Sequence, residues 1–444
     1  MPFATTLVLA WGALAFGANY PWAYRPLLLV SLAVGVTACV AGRGATPWLF
    51  GGGLALIAAA SLAQVVPVSP AWLAATLPAT DRFLRSYDVS YALGASGHLS
   101  LAPAATLVGV ACLVAFGTLA MGIARLTTPS SARTQAGLIA VLGALLAIVG
   151  VVERATYSGK IYGFWEPMAG ASPFGPFVNR NHFAGWMLMA VPVTAGLFCA
   201  NVARGMRGAR GTLRDRVLWL SSPEASRTLL LGFALLLMCL AHVMTLSRSG
   251  ITALGITALL AGAGGLRRQR TAAQRRVVGL SVAALLTCSV AVVGIDALVG
   301  RFGAADSATL SGRLPMWEDT LRIVRDFWPT GTGLNTFGVS TLLYQTVLPD
   351  VHLNEAHNDY LQLAAEGGLL VGIPIVATAA FFLVAVRGRM RRSTGSSYWI
   401  RAGAMAGLAA IAMQSLVEFS LQMPGNAALF AVVCGLALHE PEAG

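Results

Sequence analysis

Long apolar runs separated by shorter polar intervals set the pattern of this chain. They fall at about residues 3–18, 26–42, 48–66, 101–124, 135–153, 181–202, 228–246, 249–266, 277–299, 369–386, 399–420 and 425–438. A helix of roughly 17–25 apolar residues crosses a bilayer, so the pattern predicts an all-α, polytopic membrane protein with about twelve transmembrane helices. No strand alternation and no internal repeat competes. The longest polar interval runs from Ser311 to Gly372. In it, Pro315 fits the first turn of a helix. Met316, Trp317, Thr320, Leu321, Ile323, Val324, Phe327 and Trp328 follow at helical spacing. Glu318 precedes Arg322 by one turn, and Trp328-Pro329 with Gly331-Thr332-Gly333 ends the helix. A second helix is predicted from near Asn354, carrying His357, Asn358, Asp359 and Glu366, until Gly367-Gly368 interrupts it. A polar helical lid thus leads into a membrane helix, with a histidine at the join. The chain divides into N-terminal helices (1–174), central helices (175–299), an outer loop expected to hold the chemistry (300–368) and C-terminal helices (369–444).

Composition agrees with the pattern. Of 444 residues, 56% are hydrophobic and 11% charged, with mean hydropathy +0.71, against about 25% charged in soluble domains. The net charge of +12 is distributed by side. With both termini cytoplasmic, the inner loops hold 19 of the 30 basic residues and four acids, and the outer side holds 11 basic and 14 acidic residues. This is the positive-inside asymmetry. The basic balance therefore reads as topology and contact with anionic membrane lipids, not as a nucleic-acid surface. Cys39, Cys112, Cys199, Cys239, Cys288 and Cys434 all lie in predicted spans, as small packing residues. The start MPFATT lacks a basic n-region, so the first span is expected to be retained.

Three other outer segments stand out. The loop 67–100 mixes prolines with Trp72, Phe83, Tyr87 and Tyr91 and is expected to lie on the membrane interface. The loop 154–180 ends in Asn179-Arg180-Asn181-His182 directly before an apolar run, where Asn179 or Asn181 could cap the helix. Arg180 there is either a headgroup anchor or an anion ligand beside a helix N-terminus. A tight hairpin at 228–266 places Arg248 at its outer tip, where arginine is costly unless it snorkels or faces a polar cavity. His242, deeper in that hairpin, reads as a packed core residue.

His357-Asn358, nine residues and Gly368 resemble the His-Asn-x9-Gly signature of bacterial O-antigen ligases and their Wzy-type polymerase relatives. The Ser247-Arg248-Ser249-Gly250 tip and the lid arginine Arg313 resemble the family's other functional elements. The Asn179–Gly185 segment, NRNHFAG, is similar to one in the exopolysaccharide branch. The likeness covers about residues 175–385. Val371 departs from it, standing where the family signature has Gly, Thr or Tyr. The resemblance implies a GT-C-type glycosyltransferase of the bacterial inner membrane with a periplasmic active site. Its donor would be an undecaprenyl-diphosphate-linked glycan. The acceptor would be lipid A-core for a ligase or another lipid-linked glycan for a polymerase. The resemblance implies no cofactor and no metal.

The residues fit that chemistry. Arginine's rigid fork suits phosphate oxygens and keeps its charge, so Arg248 and Arg313, with Arg180, are candidate diphosphate ligands. Histidine titrates near neutrality, which suits His357 as general base for the attacking hydroxyl. Asn358, Glu355 or Asp359 could orient its ring, and the sequence does not choose. Competing readings are a metal site of His352, Glu355, His357 and Asp359, a purely packing or capping His357, and a transporter or flippase of lipid-linked glycans. Transporters carry ionisable groups near the bilayer midplane, whereas here they gather at one face.

Overall fold

The computed structural model describes residues 1–42, 44, 47–167, 171–208, 221–268, 307–347 and 352–440. Among them, apart from isolated bridges, the regular structure is helical. The helices are α1 (Pro2–Leu14), α2 (Pro21–Ala41), α3 (Trp48–Ala63), α4 (Pro70–Thr76), α5 (Pro78–Tyr87), α6 (Val89–Ala92), α7 (Pro103–Leu126) and α8 (Pro129–Thr156). They continue with α9 (Arg180–Gly208), α10 (Pro223–Met244), α11 (Arg248–Arg268), α12 (Ser307–Phe327), α13 (Phe337–Tyr344), α14 (Asp359–Arg392), α15 (Gly395–Gln414) and α16 (Pro424–Ala437). Six described helices, α2, α7, α8, α9, α10 and α14, are long and apolar enough to cross a membrane, and α1, α3 and α16 are shorter apolar helices. Apart from 277–299, which with Cys288 lies outside the described residues, each expected apolar run overlaps a helix, though 399–420 runs past the end of α15 at Gln414.

Close backbone approach builds the bundle, as membrane packing through small residues does. α9 packs along α15, where a Cβ on Gly403 would lie 2.3 Å from the Pro192 oxygen. Further along the same helices, a Cβ on Gly407 would meet the Met189 oxygen at 2.9 Å. This fixes the N-terminal end of α9 beside the 415–423 loop that joins α15 to α16. Arg401, expected among the inner loops, is fully buried in α15 and donates from Nε to the Ala437 oxygen (2.8 Å). It satisfies a terminal carbonyl of α16 that no intrahelical partner reaches.

The lid departs from expectation in four ways. First, α12 begins at Ser307, so Pro315 lies inside it rather than in its first turn. Second, its buried face is Met316, Asp319, Thr320, Ile323 and Phe327, while Leu321 and Trp328 are exposed. Arg322 pairs with the buried Asp319 (2.5 Å), three residues back, in place of Glu318. Third, the loop 67–100 is part of the lid and not only an interfacial segment. Phe83 and Leu101 share one cluster with Ile323, Phe327, Phe337, Ala356 and Ala365. Fourth, α14 starts at Asp359, so His357 precedes the helix.

The expected interruption at Gly367-Gly368 is present, and the lid locks into it. Gly368 (φ 54, ψ −155) breaks α14. The amides of Leu369 and Leu370 then donate to the oxygens of Trp328 (2.9 Å) and Pro329 (3.0 Å). In return Thr332 and Gly333 donate to the oxygens of Ala365 (2.9 Å) and Glu366 (3.0 Å). Gln64, fully buried at the end of α3, donates to the oxygens of Thr330 (2.7 Å) and Glu366 (2.9 Å) and so ties the interlock to the bundle.

Candidate functional site

The candidate site forms where the α9 N-terminus, the lid and the 415–423 loop meet. Asn179 caps α9, its Oδ1 accepting from the Asn181 amide (2.8 Å). That settles the choice between the two asparagines and frees the Asn181 side chain, which donates to Glu418 Oε1 (2.8 Å). From α12, Arg313 donates to the Val417 oxygen through Nη1 (2.6 Å) and to Glu418 Oε1 through Nη2 (2.7 Å). Glu418 Oε2 faces His357 Nδ1 at 3.6 Å, a charge contact longer than a hydrogen bond. The Phe419 ring stands edge-on between His182 (centroids 4.7 Å apart) and His357 (4.6 Å).

His357 is held in place from both sides. Its backbone is left-handed (φ 48), an unusual conformation for a residue with a side chain. On one flank the Ala356 amide donates to Gln362 Oε1 (3.0 Å) and the Ala356 oxygen accepts from Trp317 Nε1 (2.9 Å). On the other, the Asp359 amide donates to the Ser415 oxygen (2.9 Å). The imidazole is 32% exposed and the Glu418 side chain 3%, so a substrate can reach the ring while the carboxylate stays covered. Burial pushes the Glu418 carboxyl up, but the neighbouring His357 and the Arg313 charge outweigh it and leave it below its ordinary value.

None of the three residues expected to orient His357 is seen bonded to its ring. Asn358 caps α14, accepting from the Leu361 amide (3.0 Å). Asp359 accepts from Ser415 Oγ (2.7 Å) and Gln422 Nε2 (3.2 Å), which staples α14 to the 415–423 loop. Glu355 lines a cleft of about 590 Å³ that it shares with Asn335, Gln362, Glu366, Tyr24 and Phe116. Burial raises its carboxyl, against a partial pull from His357. Among the described residues the carboxylate nearest the ring is Glu418, which sequence reasoning passed over. The available signal was a lone acid inside the run 399–420, where membrane energetics demand a partner. The structure corrects that run as well, since α15 ends at Gln414.

Arg180 and Arg248 sit at the first positions of α9 and α11. Ser247 caps α11, its Oγ accepting from the Gly250 amide (3.3 Å). A Cβ on Gly250 would lie 2.9 Å from Ala184 Cβ, so the start of α11 abuts the first turns of α9. Two helix N-termini, each favourable to anions, therefore lie side by side with an arginine at the head of each. His242 is fully buried. Among the described residues no group of three His, Cys, Asp or Glu side chains gathers as a metal site would. His352, Glu355, His357 and Asp359 thus form no such cluster.

Residues 233–376 match the family model described as O-Antigen ligase. The match includes Arg248, Arg313, His357 and Gly368, and leaves out Asn181 and Glu418. None of the curated proteins compared with the chain matches it.

Proposed function

We propose, since the chain belongs through residues 233–376 to the O-antigen ligase superfamily, that it is a glycosyltransferase using a glycan carried on undecaprenyl diphosphate. The reaction joins that glycan to an acceptor hydroxyl at the periplasmic face of the inner membrane. The acceptor is lipid A-core in the ligase reading and a second lipid-linked glycan in the polymerase reading. The family description favours the ligase.

The observation that carries the reading is the meeting of Arg313, Asn181, Glu418 and His357 at the join between lid and bundle. Transfer needs negative charge stabilised on the departing diphosphate and a proton removed from the attacking hydroxyl. Arg248 and Arg180, at two adjacent helix N-termini, suit the first task. Arg313 joins them through the N–H groups that Val417 and Glu418 leave unused. His357, partly exposed and held at a fixed backbone angle, takes the hydroxyl proton. Its bond to the anomeric carbon formed, the acceptor oxygen is neutral and undecaprenyl diphosphate leaves as an anion. The cleft beside Glu355 gives the acceptor sugar polar partners on the lid and apolar ones on the bundle.

The test is transfer by the purified protein in liposomes holding the lipid-linked donor, offered lipid A-core in one arm and no second acceptor in the other. Glycan joined to lipid A-core supports the ligase, and lengthened lipid-linked glycan supports the polymerase. Flux of the donor across the bilayer without transfer in either arm would replace both with a transporter.

A further inference from the structure

We infer that Glu418 is a positioning residue, linking the diphosphate arginine to the histidine base by holding Arg313 on one carboxylate oxygen and facing His357 with the other. The inference rests on the glycosyl-transfer reading above and extends it to a residue outside the family match.

Three independent observations converge on it. Among the described residues, Glu418 is the carboxylate closest to the His357 ring, and its Oε2 has no hydrogen-bond partner although it is buried. A buried polar atom left unpaired is costly, and Oε2 is aimed at Nδ1 of a histidine whose left-handed backbone is pinned on both flanks. Such strain persists only where the surroundings over-determine it. Last, Oε1 is saturated from two directions, by Arg313 Nη2 (2.7 Å) and Asn181 Nδ2 (2.8 Å). The carboxylate plane is therefore fixed, and Oε2 cannot rotate away without breaking both bonds.

The geometry defines a division of labour. With Nδ1 turned to the carboxylate, Nε2 is the ring nitrogen left for the acceptor hydroxyl. When Nε2 takes the hydroxyl proton, the ring becomes a cation 3.6 Å from a fixed anion, so the charge created in transfer is stabilised only once it forms. Before the donor arrives, the same carboxylate partly neutralises Arg313. Glu418 thus favours the transfer step and slightly opposes binding of an anionic donor. A purely structural residue would not push the two in opposite directions.

The experiment uses the full-length protein in liposomes with the undecaprenyl-diphosphate-linked donor. It measures donor affinity and single-turnover transfer for wild type, Glu418→Gln, His357→Ala and the double variant. Gln keeps the shape and an acceptor for Arg313 while removing the charge. Glu418→Gln is expected to slow transfer at least about ten-fold while binding donor as tightly as wild type or more tightly. Added to His357→Ala, it should cost less than about two-fold more, because its effect passes through a ring already gone. Wild-type transfer by Glu418→Gln beside an inactive His357→Ala would overturn this inference and leave the function standing. So would full additivity, or weakened donor binding. Wild-type transfer by His357→Ala would instead overturn the glycosyl-transfer reading beneath it. If Glu418→Gln fails to insert, Glu418→Asp enters the same cycle. It keeps the charge but retracts it from the ring, and slower, non-additive transfer is again the supporting result and unchanged or additive transfer the overturning one.

Discussion

Replacing Gly331 by alanine should unlock the lid from α14. Gly331 has φ +70, and a Cβ there would lie 2.1 Å from the Glu366 oxygen, 2.3 Å from its carbon and 2.6 Å from the Gly367 nitrogen. The left-handed backbone costs alanine about 1–2 kcal/mol. All three obstructing atoms are backbone, so no side-chain rotation relieves them, and the overpacking adds about 1–3 kcal/mol. The total, about 2–5 kcal/mol, exceeds what one hydrogen bond contributes. The Thr332–Ala365 and Gly333–Glu366 bonds should therefore give way, and with them the docking of Leu369 and Leu370 on Trp328 and Pro329. The assay is limited proteolysis of the lid in membrane vesicles together with thermal unfolding. Gly372→Ala is the control, because a Cβ at Gly372 meets nothing within 4 Å. Gly331→Ala should show faster cleavage in the lid and a lower melting temperature than the control, with insertion unchanged. Equal protection and equal melting in the two variants would refute the interlock.

Other expectations follow from charge and ligation. A reporter fused after Arg210 or Arg391 should be cytoplasmic and one inserted near Thr336 periplasmic; the reverse at any site breaks the orientation read from charge. Purified protein should keep its transfer activity in excess EDTA, and activity lost and restored by a divalent ion would displace the arginine mechanism. Glu418, whose folded carboxyl lies below the ordinary value of 4.5, contributes stability that is present above that value and lost as pH falls through the lowered one. Thermal stability of wild type should therefore fall relative to Glu418→Gln on acidification below about pH 4.5, and parallel curves would exclude the pairing.

Much of the fold could be read from the sequence because a bilayer allows few solutions. An apolar run of spanning length must be helical to satisfy its backbone, and the described runs are helical over most of their length. His357, Arg313 and Gly368 could be picked out by residue type and spacing, and Gly368 is where α14 breaks. Local propensity misled where tertiary contacts decide. Pro315 is a good helix starter, yet α12 extends upstream of it. His357 lies one residue before the cap and not on the helix, because Asn358 takes the capping role. Phe83 and Leu101 sit more than 200 residues from the lid helices they pack on, and no local pattern signals that contact. Glu418 was hidden because its neighbours are apolar. A span drawn through residues 399–420 absorbed it, whereas the chain leaves the helix after Gln414 to bring that carboxylate under Arg313.

The central claim is that arginines hold the diphosphate while His357 removes the acceptor proton. Donor affinity and single-turnover transfer, measured side by side for His357→Ala, Arg248→Ala and Arg313→Ala after checking insertion, test it most directly. His357→Ala should bind donor like wild type and transfer about 100-fold or more slowly, while each arginine variant should lose donor affinity as well as rate. Wild-type transfer by His357→Ala, or wild-type donor affinity in both arginine variants, would contradict the account.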